Sequence, residues 1–333
     1  MLRLWFRCFV VLAALTLSTQ ALATTADTES GISLQRTLDA LAQRARPGTL
    51  GVVVLDLRSG VRAAVHADQA FPMMSVFKAP VAAAVLAQVD AGKLALRQEV
   101  VIQRQDIVPG SAVPSVGSQF SGERMSFTIE RLLRAAVSQS DSTAADALLE
   151  VAGGPQAVTA FLRAHGIEGM RIDMGEGGVS RIFQDLQPGQ ELPAHESAQV
   201  SRERYRRGFS AFLAAPDNRS TPQAALDFLR QLHAGTLLSA ASTRHLLDLM
   251  AAQTVPNRLR AGVPTSIGLA DKTGSSGSLD DWTPAYNDIG ILSGADGHTV
   301  LVAAFLTDSH ASAAQRDALF ADIGRASAAL IGR

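Results

Sequence analysis

A serine and a lysine stand three residues apart at the start of an almost uncharged stretch of the sequence. The stretch reads FPMMSVFKAPVAAAVLAQVDAGKL, and on a helix Ser75 and Lys78 share one face. A serine hydroxyl is a weak nucleophile that needs an adjacent base. A lysine among alanine and valine is poorly hydrated, which disfavours its charged form. The spacing therefore indicates an activated serine, although a capped helix whose lysine reaches solvent has the same pattern.

Two further stretches carry hydroxyl and ammonium groups. Ser140 and Ser142 flank Asp141 just before an alanine-rich helical pattern, and Lys272 opens a Lys-Thr-Gly triplet at the end of a β-rich run. Taken singly, the first stretch fits a helix N-cap and the second fits a strand that ends in a turn. Three such stretches in one chain favour catalysis more than any one of them does.

The secondary-structure pattern shows what must position these groups. Residues 48–68 predict two strands around an Arg-Ser-Gly turn, helical periodicity dominates from Met73 to about Ala251, and β-rich runs with a final helix follow Pro264. We expect an α/β fold in which one sheet comes from both chain ends, with the site in the cleft beside an inserted helical region. The expected regions are a signal peptide at 1–23, a sheet region at 24–72 and 252–333, and a helical region at 73–251.

Composition limits the possible partners. The chain has 333 residues, 47% of them hydrophobic and 18% charged, with a formal net charge of −1. This is the composition of a globular protein with a substantial core. The near-neutral charge gives no reason to expect nucleic acid or a membrane surface as a partner.

The N-terminal segment has the form of a signal peptide. Arg3 and Arg7 precede the apolar run FVVLAALTL, and Ala-Leu-Ala ends at Ala23. We expect cleavage near Ala23 and a periplasmic or secreted protein with no stable membrane anchor; an uncleaved anchor is the alternative. Cys8, the only cysteine of the chain, would leave with this segment, so the mature protein would need no disulfide.

The three motif stretches resemble a known family. Ser75–Lys78, the Ser140 triplet and the Lys272 triplet come in the order and roughly the spacing of the S-x-x-K, S-D-N and K-T-G motifs of class A β-lactamases. The stretches GGPQAVTAFLRAHG and NDIGIL are also similar to that family, so the resemblance covers almost all of the mature length. It implies an αβα sandwich with an antiparallel sheet, a small-molecule β-lactam substrate, a monomer and no cofactor or metal.

The resemblance assigns catalytic roles to four residues. Ser75 would attack the lactam carbonyl and form an acyl-enzyme, while Lys78 takes or relays its proton. Ser140 would protonate the departing lactam nitrogen. Lys272 would support Ser140 and attract the carboxylate of the substrate.

The Lys-Thr-Gly segment is also expected to bind substrate. Thr273 and Ser275 would offer hydroxyls to the substrate carboxylate, with Gly274 between them. The backbone N–H groups of Ser75 and Ser275 would form the oxyanion hole.

The chain departs from the family pattern at two substrate-facing positions and in one loop. Ser142 stands where the family has asparagine, and Ser180 replaces the asparagine that helps to hold a water. Glu176 falls on the deacylating glutamate, but Gly175 and Gly177 replace its usual tryptophan and proline neighbours. The alternative for Glu176 is a solvated acid in a glycine-rich turn.

The matching Ω-loop, about residues 171–221, is far longer than in the family. A loop of this length is more often functional or mobile than inert. Its segment ESAQVSRERYRRGFSAFL predicts a basic amphipathic helix over the site. Arg171 and Asp173 match a basic and an acidic position of the loop, and Asp173, Glu191 and Glu196 are the other acids to test if Glu176 is not the base.

Three functions are compatible with these observations. The first is a secreted serine β-lactamase that uses Ser75 and Glu176. The second is a related serine hydrolase or a penicillin-binding, DD-peptidase-like protein, which β-lactams would acylate but which would release them slowly. Ser142, Ser180 and the long loop favour this second function. The third is a non-catalytic binding protein, which would not require Ser75, Lys78, Ser140 and Lys272 together.

Overall fold

A five-stranded antiparallel sheet forms the centre of the molecule. The computed structural model describes residues 27–187, 189–193 and 195–331, so the predicted signal peptide lies outside the described residues. The strand order is β2-β1-β9-β8-β7, which confirms the predicted antiparallel sheet with strands from both sides of a helical region. The strands are β1 (Thr49–Asp56), β2 (Arg62–Val65), β7 (Gly268–Ser275), β8 (Thr283–Ser293) and β9 (Thr299–Ser309).

Both faces of the sheet are covered by helices. Side chains alternate across a strand, and in β9 Val300, Val302 and Ala304 join one hydrophobic cluster while Leu301 and Ala303 join another. The first cluster is closed by α1 (27–44), a helix that the sequence analysis did not predict, and by α11 (Ala313–Ala328). The second cluster is closed by the helical region. This three-layer arrangement explains the nearly uninterrupted burial of β8 and β9.

The helical region is built around one buried helix. α2 (Lys78–Asp90) is enclosed from Lys78 to Leu86, as expected of a helix that is apolar on all sides. The region also contains strands that the sequence pattern did not predict: the hairpin β4 (Glu99–Gln103) with β5 (Arg124–Thr128), and β3 (Phe71–Pro72) with β6 (Arg219–Ser220). The other helices are α3 (Ile129–Ser138), α4 (Ser142–Val151), α5 (Pro155–Ala164), α6 (Glu176–Phe183), α7 (Ala198–Ala214), α8 (Pro222–His233), α9 (Ala240–Ala251) and α10 (Leu259–Gly262).

The long loop is closed at its base. Met170 and Ser220 form a bridge, and the Asn218 side chain accepts hydrogen bonds from the backbone N–H groups of Asp173 (2.7 Å) and Met174 (3.1 Å). Between these ends lie α6 and α7, and α7 is the predicted helix, capped by Ser197. The loop is therefore a folded substructure with adjacent ends. Within the described part of the chain, no helix has the length and apolarity to cross a bilayer.

Strand β7 lies unusually close to the segment that carries Ser75. A Cβ atom added at Gly274 would lie 2.4 Å from the carbonyl oxygen of Met73 and 3.1 Å from the backbone nitrogen of Ser75. The same Met73 oxygen accepts a hydrogen bond from Asn287 Nδ2 at 3.0 Å. Backbone atoms cannot yield as a flexible side chain can, so this position has room only for glycine.

We expect Gly274→Ala to destabilise the protein by about 1–3 kcal/mol, because the methyl group forces β7 away from the Ser75 segment. Denaturant unfolding followed by circular dichroism measures this loss. Gly277→Ala is the matched control, since a Cβ there meets nothing within 4 Å. Equal stability of the two variants would contradict the close packing.

Candidate active site

Ser75 lies in a short 3₁₀ turn that leads into α2. The turn spans Met74–Phe77, and Met74 has φ 46°, a left-handed conformation that is strained for this residue. The Ser75 hydroxyl donates a hydrogen bond of 2.8 Å to Glu176 Oε1. The nucleophile candidate is thus held beside a carboxylate from the long loop.

Lys78 is the first residue of α2, and its side chain does not reach solvent. Its Nζ lies 2.8 Å from Glu176 Oε1 and donates a 2.8 Å hydrogen bond to the carbonyl oxygen of Ser140. A weaker contact of 3.4 Å joins Nζ to Ser142 Oγ. The ammonium group therefore connects three segments that are far apart in sequence.

The Ser-Asp-Ser segment combines a helix cap with a strained serine. Asp141 caps α4 by accepting from Ala144 N at 2.8 Å, as the N-cap interpretation predicts. Ser140, one residue earlier, has φ 58°. Its hydroxyl accepts a hydrogen bond from Lys272 Nζ at 3.0 Å and lies 3.5 Å from Lys78 Nζ. One hydroxyl thus lies between two lysines.

Lys272 is fully buried in β7. Burial, followed by the positive charges of Lys78 and Arg258, lowers the pKa of Lys272 to about 7. Arg258 was not predicted from the sequence, because no spacing rule singles it out between α9 and α10. Its guanidinium lies 4.2 Å from the centre of the Tyr286 ring and donates to the carbonyl oxygen of Asn287 at 3.1 Å.

Glu176 is a buried acid at the first position of α6, not a solvated acid in a turn; its exposed fraction is 7%. Burial acts to raise its pKa. The Lys78 charge and the hydrogen bonds from Lys78 and Ser75 together outweigh burial, so the pKa of Glu176 lies below its ordinary value. The other candidate acids of the loop are engaged elsewhere or exposed. Asp173 pairs with Arg171, Glu196 pairs with Arg204, and Glu191 is exposed.

Asp146 on α4 holds Glu176 in place and was missed by the sequence analysis. Its carboxylate accepts hydrogen bonds from the backbone N–H groups of Glu176 (2.6 Å) and Gly177 (2.8 Å). A negative group at a helix N-terminus also interacts favourably with the helix dipole. Burial nevertheless raises the pKa of Asp146 to about 6. Its position four residues after Ser142, on the same face of α4, is the signal that was available.

Gly175 is required by this arrangement. A Cβ atom added there would lie 2.4 Å from Asp146 Oδ1. The tryptophan that the resemblance implies at this position could not be accommodated beside Asp146.

A cavity of about 540 Å³ opens beside Ser75. The predicted site residues that line it are Ser75, Ser142, Glu176, Ser180 and Ser275. Lys78, Ser140 and Lys272 lie behind this wall, where they form the hydrogen-bonded group described above.

Thr273 and Gly274 of the Lys-Thr-Gly segment, which were expected to bind substrate, do not line the cavity. The Thr273 hydroxyl accepts a hydrogen bond from Gln253 Nε2 at 3.3 Å, and Gly274 packs against the Ser75 segment.

No three His, Cys, Asp or Glu side chains among residues 27–187, 189–193 and 195–331 are grouped so that they could hold a metal ion.

The arrangement supports nucleophilic catalysis by a serine. A hydroxyl that donates to a carboxylate can lose its proton as it attacks. A second hydroxyl that lies between two lysines can deliver a proton to a leaving group. Groups suited to both functions lie at one side of the cavity, Ser75 in its wall and Ser140 behind it.

Comparisons with known proteins identify similar sequences. A profile of the Beta-lactamase enzyme family matches residues 33–331. The β-lactamase L2 of Stenotrophomonas maltophilia is 32% identical over 93% of this chain and 90% of its own length. The extended-spectrum β-lactamase PER-1 of Pseudomonas aeruginosa is 30% identical over 84% of this chain and 82% of its own length.

Solved structures show the same similarity. The crystal structure of a β-lactamase from Chitinophaga pinensis has a TM-score of 0.75 at 31% identity, covering 90% of this chain and 99% of that chain. An ancestral class A β-lactamase has a TM-score of 0.72 at 36% identity, covering 90% and 100%.

The charges of Lys78 and Arg258 lead to a prediction about the pKa of Lys272. We expect Lys272 to titrate near pH 7 in the wild type, and its pKa to rise in Arg258→Gln because a repelling charge is removed. Carbon-detected NMR of the lysine side chains measures both values. Arg134→Ala, on the exposed part of α3, is the control and should leave the titration unchanged; a wild-type pKa near 10 would contradict the argument.

Proposed function

Because this chain belongs to the class A β-lactamases and is therefore a β-lactam hydrolase, we propose that it works through an acyl-enzyme on Ser75 that Glu176 helps to hydrolyse. The observation that carries the proposal is the contact of one oxygen, Glu176 Oε1, with both Ser75 Oγ and Lys78 Nζ at 2.8 Å. Nucleophile, base and balancing charge are therefore in mutual contact.

Acylation begins with the attack of Ser75 Oγ on the lactam carbonyl carbon. The hydroxyl proton passes to the Glu176–Lys78 pair as the new C–O bond forms. The backbone N–H groups of Ser75 and Ser275 bind the developing oxyanion, and loss of one such donor typically costs a factor of about 10²–10³ in rate.

Opening of the lactam ring needs a proton on the departing nitrogen. As the C–N bond breaks, Ser140 Oγ donates its proton to nitrogen and recovers one from a neighbouring lysine. The hydroxyl of Ser275 donates to the substrate carboxylate, where a hydrogen bond to a charged acceptor is stronger than a neutral one. Lys272, behind the cavity wall, attracts the same carboxylate through its charge. The Thr273 hydroxyl accepts from Gln253 and keeps its own O–H proton to donate to the carboxylate.

Deacylation uses the same carboxylate a second time. Glu176 accepts a proton from a water that attacks the ester carbonyl, the bond to Ser75 Oγ breaks, and Ser75 regains a proton. Ser180 lines the cavity on the same face of α6 and contributes to substrate binding there. In the free enzyme Ser142 contacts Lys78 weakly, so its effect is on binding and on the surroundings of Lys78.

We further propose that the mature protein acts as a monomer in the periplasm or outside the cell after cleavage near Ala23. The form of the N-terminal segment supports this proposal. Its tests are the N-terminal sequence of the exported protein and its mass in solution.

The function is tested by following turnover and intact mass together. We expect wild-type protein to hydrolyse many equivalents of benzylpenicillin with little adduct left. Glu176→Gln should retain acylation, because without its carboxylate partner Lys78 can act as a neutral amine and accept the Ser75 proton. It should lose about 10²–10⁴ in deacylation and accumulate the adduct.

Ser75→Ala is the control for the adduct and should form none. An unchanged turnover in Glu176→Gln would rule out its role as the deacylation base. A single stoichiometric burst by the wild type would instead support the penicillin-binding alternative.

The raised pKa of Asp146 leads us to expect that turnover falls at acid pH. Below pH 6 the carboxyl group of Asp146 gains a proton, and one of its acceptor oxygens becomes a donor. Its hydrogen bonds to the N-terminus of α6 then weaken, and turnover falls. In Asp146→Asn the amide cannot accept both N–H groups, and we expect about tenfold lower turnover at pH 7. The fall near pH 6 should disappear, leaving only a limit at lower pH set by Glu176.

The measurement is kcat against pH for both proteins. Glu150→Gln, an exposed position on the same helix, should keep the wild-type profile. An acid limb near pH 6 that persists in Asp146→Asn would assign that titration to another group.

A further inference from the structure

One face of α6 leads from the proposed base to an aromatic end of the cavity. Glu176, Val179, Ser180, Phe183 and Gln184 all line the cavity, and their spacing is that of a single helix face. With a rise of about 1.5 Å per residue, this face extends about 10 Å from Glu176 to Phe183. The site therefore continues well beyond the atoms that react.

The long loop supplies the opposite wall through α7. Tyr205 and Phe209, four residues apart on α7, also line the cavity. Phe183 and Phe209 meet edge to face, with ring centroids 5.4 Å apart and an interplanar angle of 77°. Phe183, Tyr205 and Phe209 are named the aromatic wall below.

A second layer of rings supports the aromatic wall. Phe212 lies 4.4 Å from Phe183 between ring centroids, and Trp282 lies 5.4 Å from Phe209. Phe209 and Phe212 are both buried. This support keeps the wall from collapsing into the cavity.

Ion pairs fix α7 to the far side of the cavity mouth. Asp280, in the turn after β7, pairs with Arg202 and lies 3.6 Å from Arg206. The same turn carries Ser278 and Leu279, which line the cavity. The aromatic wall is therefore held at a set position relative to Ser275 and Ser75.

We propose that the aromatic wall is a subsite for an aryl ring on the acylamino side chain of the β-lactam. This inference rests on the proposed function, since the ring must be linked to a carbonyl that Ser75 attacks. Ser180 lies between Glu176 and Phe183 along α6 and accepts a 2.9 Å hydrogen bond from Gln184. Both residues line the cavity and supply polar groups for the amide link. Rings that meet offset or edge to face attract each other beyond simple burial, so an arylacetamido β-lactam is preferred over one without a side chain.

The experiment compares benzylpenicillin with 6-aminopenicillanic acid, which has the same reactive ring but no acyl side chain. In Tyr205→Ala we expect kcat/KM for benzylpenicillin to fall about tenfold, and that for 6-aminopenicillanic acid to change less than twofold. Tyr205→Phe keeps the ring and should stay within about twofold of the wild type. Ser210→Ala, on the exposed part of α7, controls for effects on the helix itself.

The outcomes separate the subsite from the function. If the wild type turns over neither compound, the proposed function fails. If both are hydrolysed and the ratio of their kcat/KM values is the same in the wild type and in Tyr205→Ala, only the subsite is wrong. Should Tyr205→Ala fail to fold, Tyr205→Leu removes the ring while keeping an apolar side chain, and an unchanged ratio there also overturns the proposal.

Discussion

The buried ion pair between Lys78 and Glu176 is the interaction on which the rest of the site depends. Taking two charges out of water is costly, and their attraction offsets that cost only if other hydrogen bonds complete both groups. Ser75 and the carbonyl oxygen of Ser140 supply these bonds, and Asp146 fixes the backbone at Glu176. α2, α4 and α6 must therefore meet at one point, which is why the nucleophile, the proton donor and the base come from distant parts of the chain.

The same enclosure creates an excess of positive charge behind the cavity wall. Lys78, Lys272 and Arg258 lie close enough for the other two cations to lower the pKa of Lys272. The nearby acid Asp288 offsets this charge poorly, because burial and then the Asp271 carboxylate raise its pKa well above the ordinary value. Because Glu176 balances Lys78, the positive charge that attracts an anionic substrate before any contact forms comes from Arg258 and protonated Lys272. The buried cations thus favour binding of the carboxylate that the β-lactam carries.

The sequence predicted those parts of the site that are local. Ser75 and Lys78 are recognisable because one helical turn brings them together, and the resemblance aligned Ser140, Lys272 and Glu176 even though the residues around Glu176 differ. Asp146 and Arg258 act only through contacts across the fold, with Glu176 and Lys272, and no local pattern marks such contacts. The sheet was predictable from β-rich runs bounded by turn residues, whereas α1 and the β4–β5 hairpin were missed. Only one residue of each hairpin strand is buried, so the hairpin has little apolar pattern to reveal it.

The extension of the loop shows how binding can change while the reactive groups stay fixed. The cost of closing a loop grows only slowly with its length, and here the Met170–Ser220 bridge and Asn218 hold the two ends together whatever lies between them. α7 adds a wall with its own ring contacts and its own ion pairs to Asp280. Glu176 depends instead on Asp146, which belongs to α4 and not to the added segment. The contacts that fix Glu176 at the start of α6 differ from those that join α7 to the end of α6 at Phe183. Changes at exposed residues of α7 can therefore alter the wall with little effect on the carboxylate that contacts Ser75.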